Sequence, residues 1–151
     1  MEPRTFKDRR SGYDRRQSAR KRETKTIVVL DADEEQCRQL GELLIKNQYK
    51  AVPLHSLYHL EKTITQTGCL AILWDIDTVP VENRVIRDLT IKFPGVYFFG
   101  LSCHRFHPEL KDAICYHIYA CINRPVDPDE LFYWLRSIDE NELNPDGSVD
   151  P

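Results

Sequence analysis

The sequence predicts an α/β protein built on a doubly wound, five-stranded parallel sheet with strand order 2-1-3-4-5. Three observations carry that prediction. Short apolar runs alternate with amphipathic segments across residues 26–138. The runs Ile27-Val28-Val29-Leu30 and Leu70-Ala71-Ile72-Leu73-Trp74 are unbroken by polar residues, as suits strands buried on both faces. Both runs end in acid: Asp31 and Asp33 follow the first, Asp75 and Asp77 the second. Open α/β sheets place ligands beyond the carboxyl ends of their strands. Asp75 is therefore expected at the mouth of a crevice rather than in the core.

Each element has its own reason. The first strand covers residues 26–30 and the first helix 34–46. In that helix Cys37, Leu40, Leu43 and Leu44 recur at helical spacing, and Asp33 is placed to cap its amino end. A short second strand, 51–54, is weakened by Pro53. The second helix starts at Ser56, turns Leu57, Leu60 and Ile64 inward, and stops at Gly68. A third strand over 70–74 and a third helix over 81–92 follow. Phe93-Pro94-Gly95 then breaks the chain before a fourth strand at 96–101. A fourth helix over 108–115 and a fifth strand over 118–122 lead to a last helix, capped by Asp127 and opened by Pro128. The strand order sets strands one and three side by side, so Asp31 and Asp75 should meet at one edge. Like charges that close raise one another's pKa, or a hard cation must neutralise them.

At 151 residues, 41% of them hydrophobic, the chain suffices for one core and two tails. No apolar stretch approaches the roughly 20 residues of a membrane span. The amino end is charged from Arg4 onward, with no apolar leader, so a cytoplasmic location is expected. Five cysteines, odd in number and without Cys-x-x-Cys spacing, read as free and mostly buried thiols. The net charge of −3 hides an asymmetry. Residues 1–25 hold ten Lys/Arg against four acids, whereas 139–151 hold five acids and no base. The expected organisation is a basic arm (1–25), too poor in aliphatic residues to offset its ordering entropy and so disordered, a folded domain (26–138) and an acidic tail (139–151).

Four short motifs occur in a telling order: Leu30-Asp31-Ala32-Asp33 after strand one, Leu73-Trp74-Asp75 ending strand three, Leu101-Ser102-Cys103 ending strand four, and Asn123-Arg124-Pro125 after strand five. In order and spacing they resemble the receiver domain of bacterial two-component response regulators, over about residues 26–138. The resemblance implies a flavodoxin-like receiver fold with Asp75 as phospho-acceptor. It implies a Mg²⁺ site made by Asp31, Asp33, Asp75 and the backbone carbonyl of Asp77. Ser102 would be the switch hydroxyl, and Arg124 stands where the family has lysine. The implied function is a non-enzymatic, stand-alone signalling protein in a phosphorelay. A histidine kinase would donate the phosphoryl group, Mg²⁺ and fixed cations would stabilise the transferring oxygens, and output would be protein–protein contact. The face of helix four, strand five and helix five is the family's usual interaction surface, and Tyr116, Tyr119 and Tyr133 are the candidates on it.

Four positions depart from the family pattern. Ala32 replaces one member of the acidic pair. Arg124 replaces lysine, and its planar fork is not equivalent to an ammonium point charge. Pro80 comes one residue late, and Val81-Glu82-Asn83 lacks the usual glycine. Cys121 takes the place of the switch aromatic. The alternative reading is therefore a degenerate (pseudo-)receiver that binds its partner without phosphorylation. A register with Asp77 as the acceptor is also open, and would leave Asp75 inside the strand. Cys103, His104, His107, Cys115, His117 and Cys121 match no usual zinc-ligand spacing. The simplest reading of the basic arm is a solvated tail. Binding of nucleic acid or an anionic surface through charge is its other use. Arg16-Gln17-Ser18-Ala19-Arg20 resembles the Arg-x-x-x-Arg signature of PilZ domains, which capture cyclic dinucleotides, but no partner motif follows.

Overall fold

The computed structural model describes residues 25–104 and 107–143. The expectations for the arm before Lys25, its disorder and its anion binding, lie outside the described residues, as does the tail beyond 143. Five parallel strands, β1 (Lys25–Leu30), β2 (Tyr49–Leu54), β3 (Ala71–Asp75), β4 (Tyr97–Ser102) and β5 (Ala120–Asn123), form one sheet in the order β2-β1-β3-β4-β5. This is the 2-1-3-4-5 order that the alternation of elements predicts. Five α-helices connect and follow the strands: α1 (Glu34–Lys46), α2 (Leu60–Thr67), α3 (Asn83–Lys92), α4 (Lys111–Tyr116) and α5 (Pro128–Leu143). Short 3₁₀ turns, Leu57–His59 and Pro108–Leu110, lead into α2 and α4.

The sheet separates two apolar layers. Ile27, Val29, Leu73, Phe99 and Leu101 face α1 and α5, where they meet Leu40, Leu44, Leu131 and Leu135. Val28, Leu30, Ile72, Trp74 and Phe98 face α2, α3 and α4. Alternation along each strand gives each layer its share, so every central strand must be apolar throughout. Each fully buried aliphatic side chain contributes about 1.5–3 kcal/mol. Polar atoms within these layers find partners: the Trp74 indole Nε1 donates to the Val79 carbonyl at 2.8 Å.

Several element ends differ from expectation, and in the first two strands backbone pairing overrides the hydrophobic pattern. β1 and β2 pair from Lys25↔Tyr49 to Leu30↔Leu54, drawing in polar Lys25 and Lys50. α3 starts at Asn83 rather than 81, and β5 at Ala120 rather than 118. α5 continues to Leu143, five residues beyond 138, with Ile138 fully buried against the sheet. Gly68 closes α2 in the left-handed conformation at φ 59°, and its N–H bonds to the Ile64 carbonyl.

Candidate functional site

Parallel registry brings the acids together. Leu30 is opposite Trp74 across β1 and β3, so Asp31 and Asp75, each the next residue, leave the sheet side by side. Ser102 ends the neighbouring strand, opposite Asn123 of β5. Arg124 follows at once, its N–H held by the Ser102 carbonyl at 2.8 Å. From there its side chain reaches back across β4. Its Nε donates to Asp75 Oδ2 at 2.7 Å, and its second nitrogen donates to Asp31 Oδ2 at 2.9 Å. One guanidinium thus bridges two carboxylates from different strands. Asp31 and Asp75 are 0% and 1% exposed beneath an Arg124 side chain that is 12% exposed. The expectation that Asp75 would stand open at a crevice mouth is therefore corrected, because the arginine lies over it.

The remaining lone pairs are also in use. Asp75 Oδ1 accepts the backbone N–H groups of Asp77 and Thr78, both at 3.0 Å. Asp31 Oδ1 accepts the Asp33 N–H at 2.8 Å and the Thr78 hydroxyl at 2.9 Å, and Oδ2 also receives the Gln36 amide at 3.3 Å. The Thr78 hydroxyl in turn accepts the Ala32 N–H at 3.0 Å. The main-chain carbonyl of Asp31 accepts from His55 Nδ1 at 3.0 Å.

The carboxylates of Asp33 and of Asp77, the latter expected to serve only through its backbone carbonyl, turn away from this pair. Asp33 caps α1, its Oδ1 accepting the Gln36 N–H at 3.0 Å. Glu34 and Glu35 in the first turn complement the helix dipole. Asp77 points along the sheet edge. Its Oδ1 accepts the Ser102 hydroxyl and its Oδ2 the Cys103 N–H, each at 2.8 Å. The Ser102 oxygen itself accepts the His104 N–H at 2.9 Å. Partial burial works against the Asp77 carboxylate. The bonds from Cys103 and Ser102, with the positive fields of His104 and His107, outweigh it and hold the carboxyl below its usual range. Ser102 therefore latches Asp77, not Asp75.

These positions do not fit the Mg²⁺ ion that the resemblance implies. A hard cation needs several oxygens converging on one point. Here the guanidinium of Arg124 already lies between Asp31 and Asp75, and the Asp33 carboxylate caps a helix end. Among the described residues no three His, Cys, Asp or Glu side chains form a metal-holding group. What the site has instead is a fixed internal cation. A groove of about 450 Å³ between α1 and the segment after β5 leads to Arg124, past Gln36, Leu40, Cys103 and Pro125.

Sequence reasoning did not single out Thr78, Gln36 or His55. Thr78 had a signal: a hydroxyl three residues after a strand-end aspartate, where its own N–H and that of Asp77 close an Asx-type turn. On the surface expected to meet partners, Tyr116 and Tyr133 are 78% and 60% exposed. Tyr119 packs instead, edge-on to Tyr97 and Trp134, its hydroxyl 2.6 Å from that of Ser137. Cys37 and Cys69 are buried free thiols, but Cys103 and Cys121 are exposed, so thiol burial holds for only part of the set.

A five-stranded, doubly wound parallel sheet with acids and a cation at its switch point defines the fold. Solved structures narrow it to the receiver fold. The chain superposes on a CheY-like response regulator receiver domain protein from Methanospirillum hungatei JF-1 with a TM-score of 0.71 at 18% identity, covering 81% of this chain and 99% of that one. It is equally similar to the signal receiver domain of an HD domain-containing protein from Pseudomonas fluorescens Pf-5, at TM-score 0.71, 16% identity and coverage of 81% and 99%. A response regulator from Thermotoga maritima gives 0.67 at 16% identity, over 77% of this chain and 98% of that one. The sequence matches no family model and no curated protein. At these identities the likeness establishes the fold. No helix among the described residues is long and apolar enough to cross a membrane.

Proposed function

We propose that this chain is a receiver-fold signalling module that meets its partner without passing through phosphorylation. The observation that carries this reading is the Arg124 guanidinium bonded to both Asp31 and Asp75. A carboxylate held by an arginine fork and two backbone N–H groups is a poor nucleophile, because its charge is already satisfied. A metal ion would have to displace a buried ion pair to enter. The module then acts by contact, through the face of α4, β5 and α5 that presents Tyr116 and Tyr133. Its partner is another signalling protein, and the chain itself is not an enzyme.

The test is beryllofluoride with Mg²⁺, which imitates a bound phosphoryl group. The amide signals of Asp77, Thr78 and Ser102 should stay in place. A saturable shift in all three would overturn the proposal. The second reading, in which a histidine kinase phosphorylates Asp75, is favoured by one observation: Asp75 ends β3 directly beside the strand that ends in Ser102. It requires Arg124 to release Asp75, whose Oδ2 accepts from its Nε. A phosphorylated Asp75 peptide after treatment with acetyl phosphate or a kinase would establish it.

A further inference from the structure

α4 is short and has no cap of its own. It spans six residues, and neither its N-cap, Leu110, nor His107 before the preceding 3₁₀ turn makes a side-chain capping bond. A helix of that length is not stable in isolation, and its first N–H groups need acceptors from elsewhere. α3 supplies one. Asn83, the first residue of α3, accepts the Ala113 N–H on its Oδ1 at 2.7 Å and donates from Nδ2 to the Glu109 carbonyl at 2.8 Å. Ala113 is the third residue of α4, a position that an N-cap side chain ordinarily serves. Asn83 therefore does for α4 what an N-cap does, but from 30 residues away in the chain. Only one orientation of its amide satisfies both bonds.

The other end of α4 is tied to the same helix. Thr90 lies about two helical turns beyond Asn83, on the same side of α3. Its hydroxyl donates its single proton to the Arg87 carbonyl at 2.8 Å. Toward His117 Nδ1, 3.2 Å away, it can then only accept, so His117 carries a proton on Nδ1. His117 is the C-cap of α4. Between the two ties, Ile86 and Leu89 of α3 are buried in one apolar layer with Leu110 and Ala113. We infer that Asn83 is a positioning residue: it caps α4 from α3 and, with the tie between Thr90 and His117, makes the two helices one body. α3 thereby sets where α4 presents Tyr116. That Tyr116 meets a partner rests on the function proposed above; the two ties do not.

The test uses the full chain carrying Asn83→Ala, Asn83→Asp or Thr90→Val, without beryllofluoride or any partner. Amide hydrogen exchange at His117 and Ile118 reports on α4, because both N–H groups bond to the Ala113 carbonyl at 2.8 Å. Ile72 and Leu73 in β3 serve as the control. Losing a cap and a second hydrogen bond together should speed exchange at His117 and Ile118 about tenfold or more in Asn83→Ala and leave the control unchanged. Asn83→Asp keeps the acceptor for the Ala113 N–H, so it should exchange more slowly than Asn83→Ala. The second readout is the His117 imidazole, followed by nitrogen NMR at about pH 8, where the ring is neutral. In the wild type its proton should be on Nδ1. In Thr90→Val it should move to Nε2, the nitrogen that a free imidazole prefers, since the neighbouring hydrogen bond sets the tautomer. Asn83→Ala does not touch the ring, yet should move the proton the same way, because one body loosens at both ends. An unchanged tautomer in Asn83→Ala would overturn the inference, as would exchange at His117 and Ile118 within about twofold of wild type. Equal acceleration at Ile72 and Leu73 would overturn it too, because the loss would then belong to the whole fold. None of these results bears on whether Asp75 takes a phosphoryl group, which the beryllofluoride titration decides separately.

Discussion

Replacing Arg124 with alanine tests the central physical claim most directly. The substitution leaves two carboxylates, 0% and 1% exposed, side by side without their shared cation. Removing one partner of a buried pair typically costs about 3–5 kcal/mol, since the remaining charge is left uncompensated. The described domain has about 120 residues, and an unfolding entropy of about 2.1 cal/mol/K per residue makes each kcal/mol worth about 4 °C. Arg124→Ala should therefore lower Tm by about 12–20 °C by calorimetry. The same variant vacates the space between Asp31 and Asp75, where a divalent cation could then bind. Millimolar Mg²⁺ should restore part of the lost Tm in the variant and leave the wild type unchanged, because only the variant's folded state gains a ligand. Arg124→Lys should fall between the two: one ammonium carries the charge but cannot reproduce the fork. If Arg124→Ala melts within 3 °C of wild type and ignores Mg²⁺, the bridge does not hold this site together.

Other predictions concern the groups around the bridge and one helix end. Thr78→Val removes the hydroxyl that Asp31 accepts and that takes the Ala32 N–H. It should cost about 2 kcal/mol in urea unfolding, the range for a hydrogen bond to a charged group. Ser102→Ala breaks the latch on Asp77 and should raise the Asp77 carboxyl toward its usual range, read by carboxyl-carbon NMR titration. The sign follows from linkage. A lowered carboxyl pKa stabilises the fold above the unfolded-state value, and that stabilisation is lost as pH falls through the folded-state value. The variant should therefore lose less stability than wild type on acidification. Gly68→Ala should cost about 1 kcal/mol through strain alone, as φ is 59° and no atom lies within 4 Å of the added methyl. Gly68→Asn should cost less, since asparagine tolerates that conformation better.

The layered fold could be read in advance because it depends on local pattern. Short apolar runs such as Ile27 to Leu30 suit strands covered on both faces. The alternation with helices then leaves few ways to order five parallel strands. The same logic placed Asp31 and Asp75 at one edge and identified Asp33 as a cap, since each follows directly from its position on an element. Side-chain direction in the loops beyond the strands was not available from pattern. Asp77 and Asp33 belong to the same acidic segments as Asp75 and Asp31. Yet one is turned to Ser102 and the other to the first turn of α1, because backbone N–H groups and a hydroxyl there satisfy each carboxylate locally. Thr78 escaped notice for the same reason: its importance comes from Asp31, 47 residues away in sequence.

By itself the sequence determined the sheet, its order and the meeting of two acids at its edge, because hydrophobic burial acts through spacing along the chain. Only the tertiary structure decided what neutralises those acids. Arg124 joins residues 49 and 93 positions away, and that reach depends on how β5 lies against β4 and β3. Spacing can bring the charges together, but three-dimensional packing selects which cation sits between them.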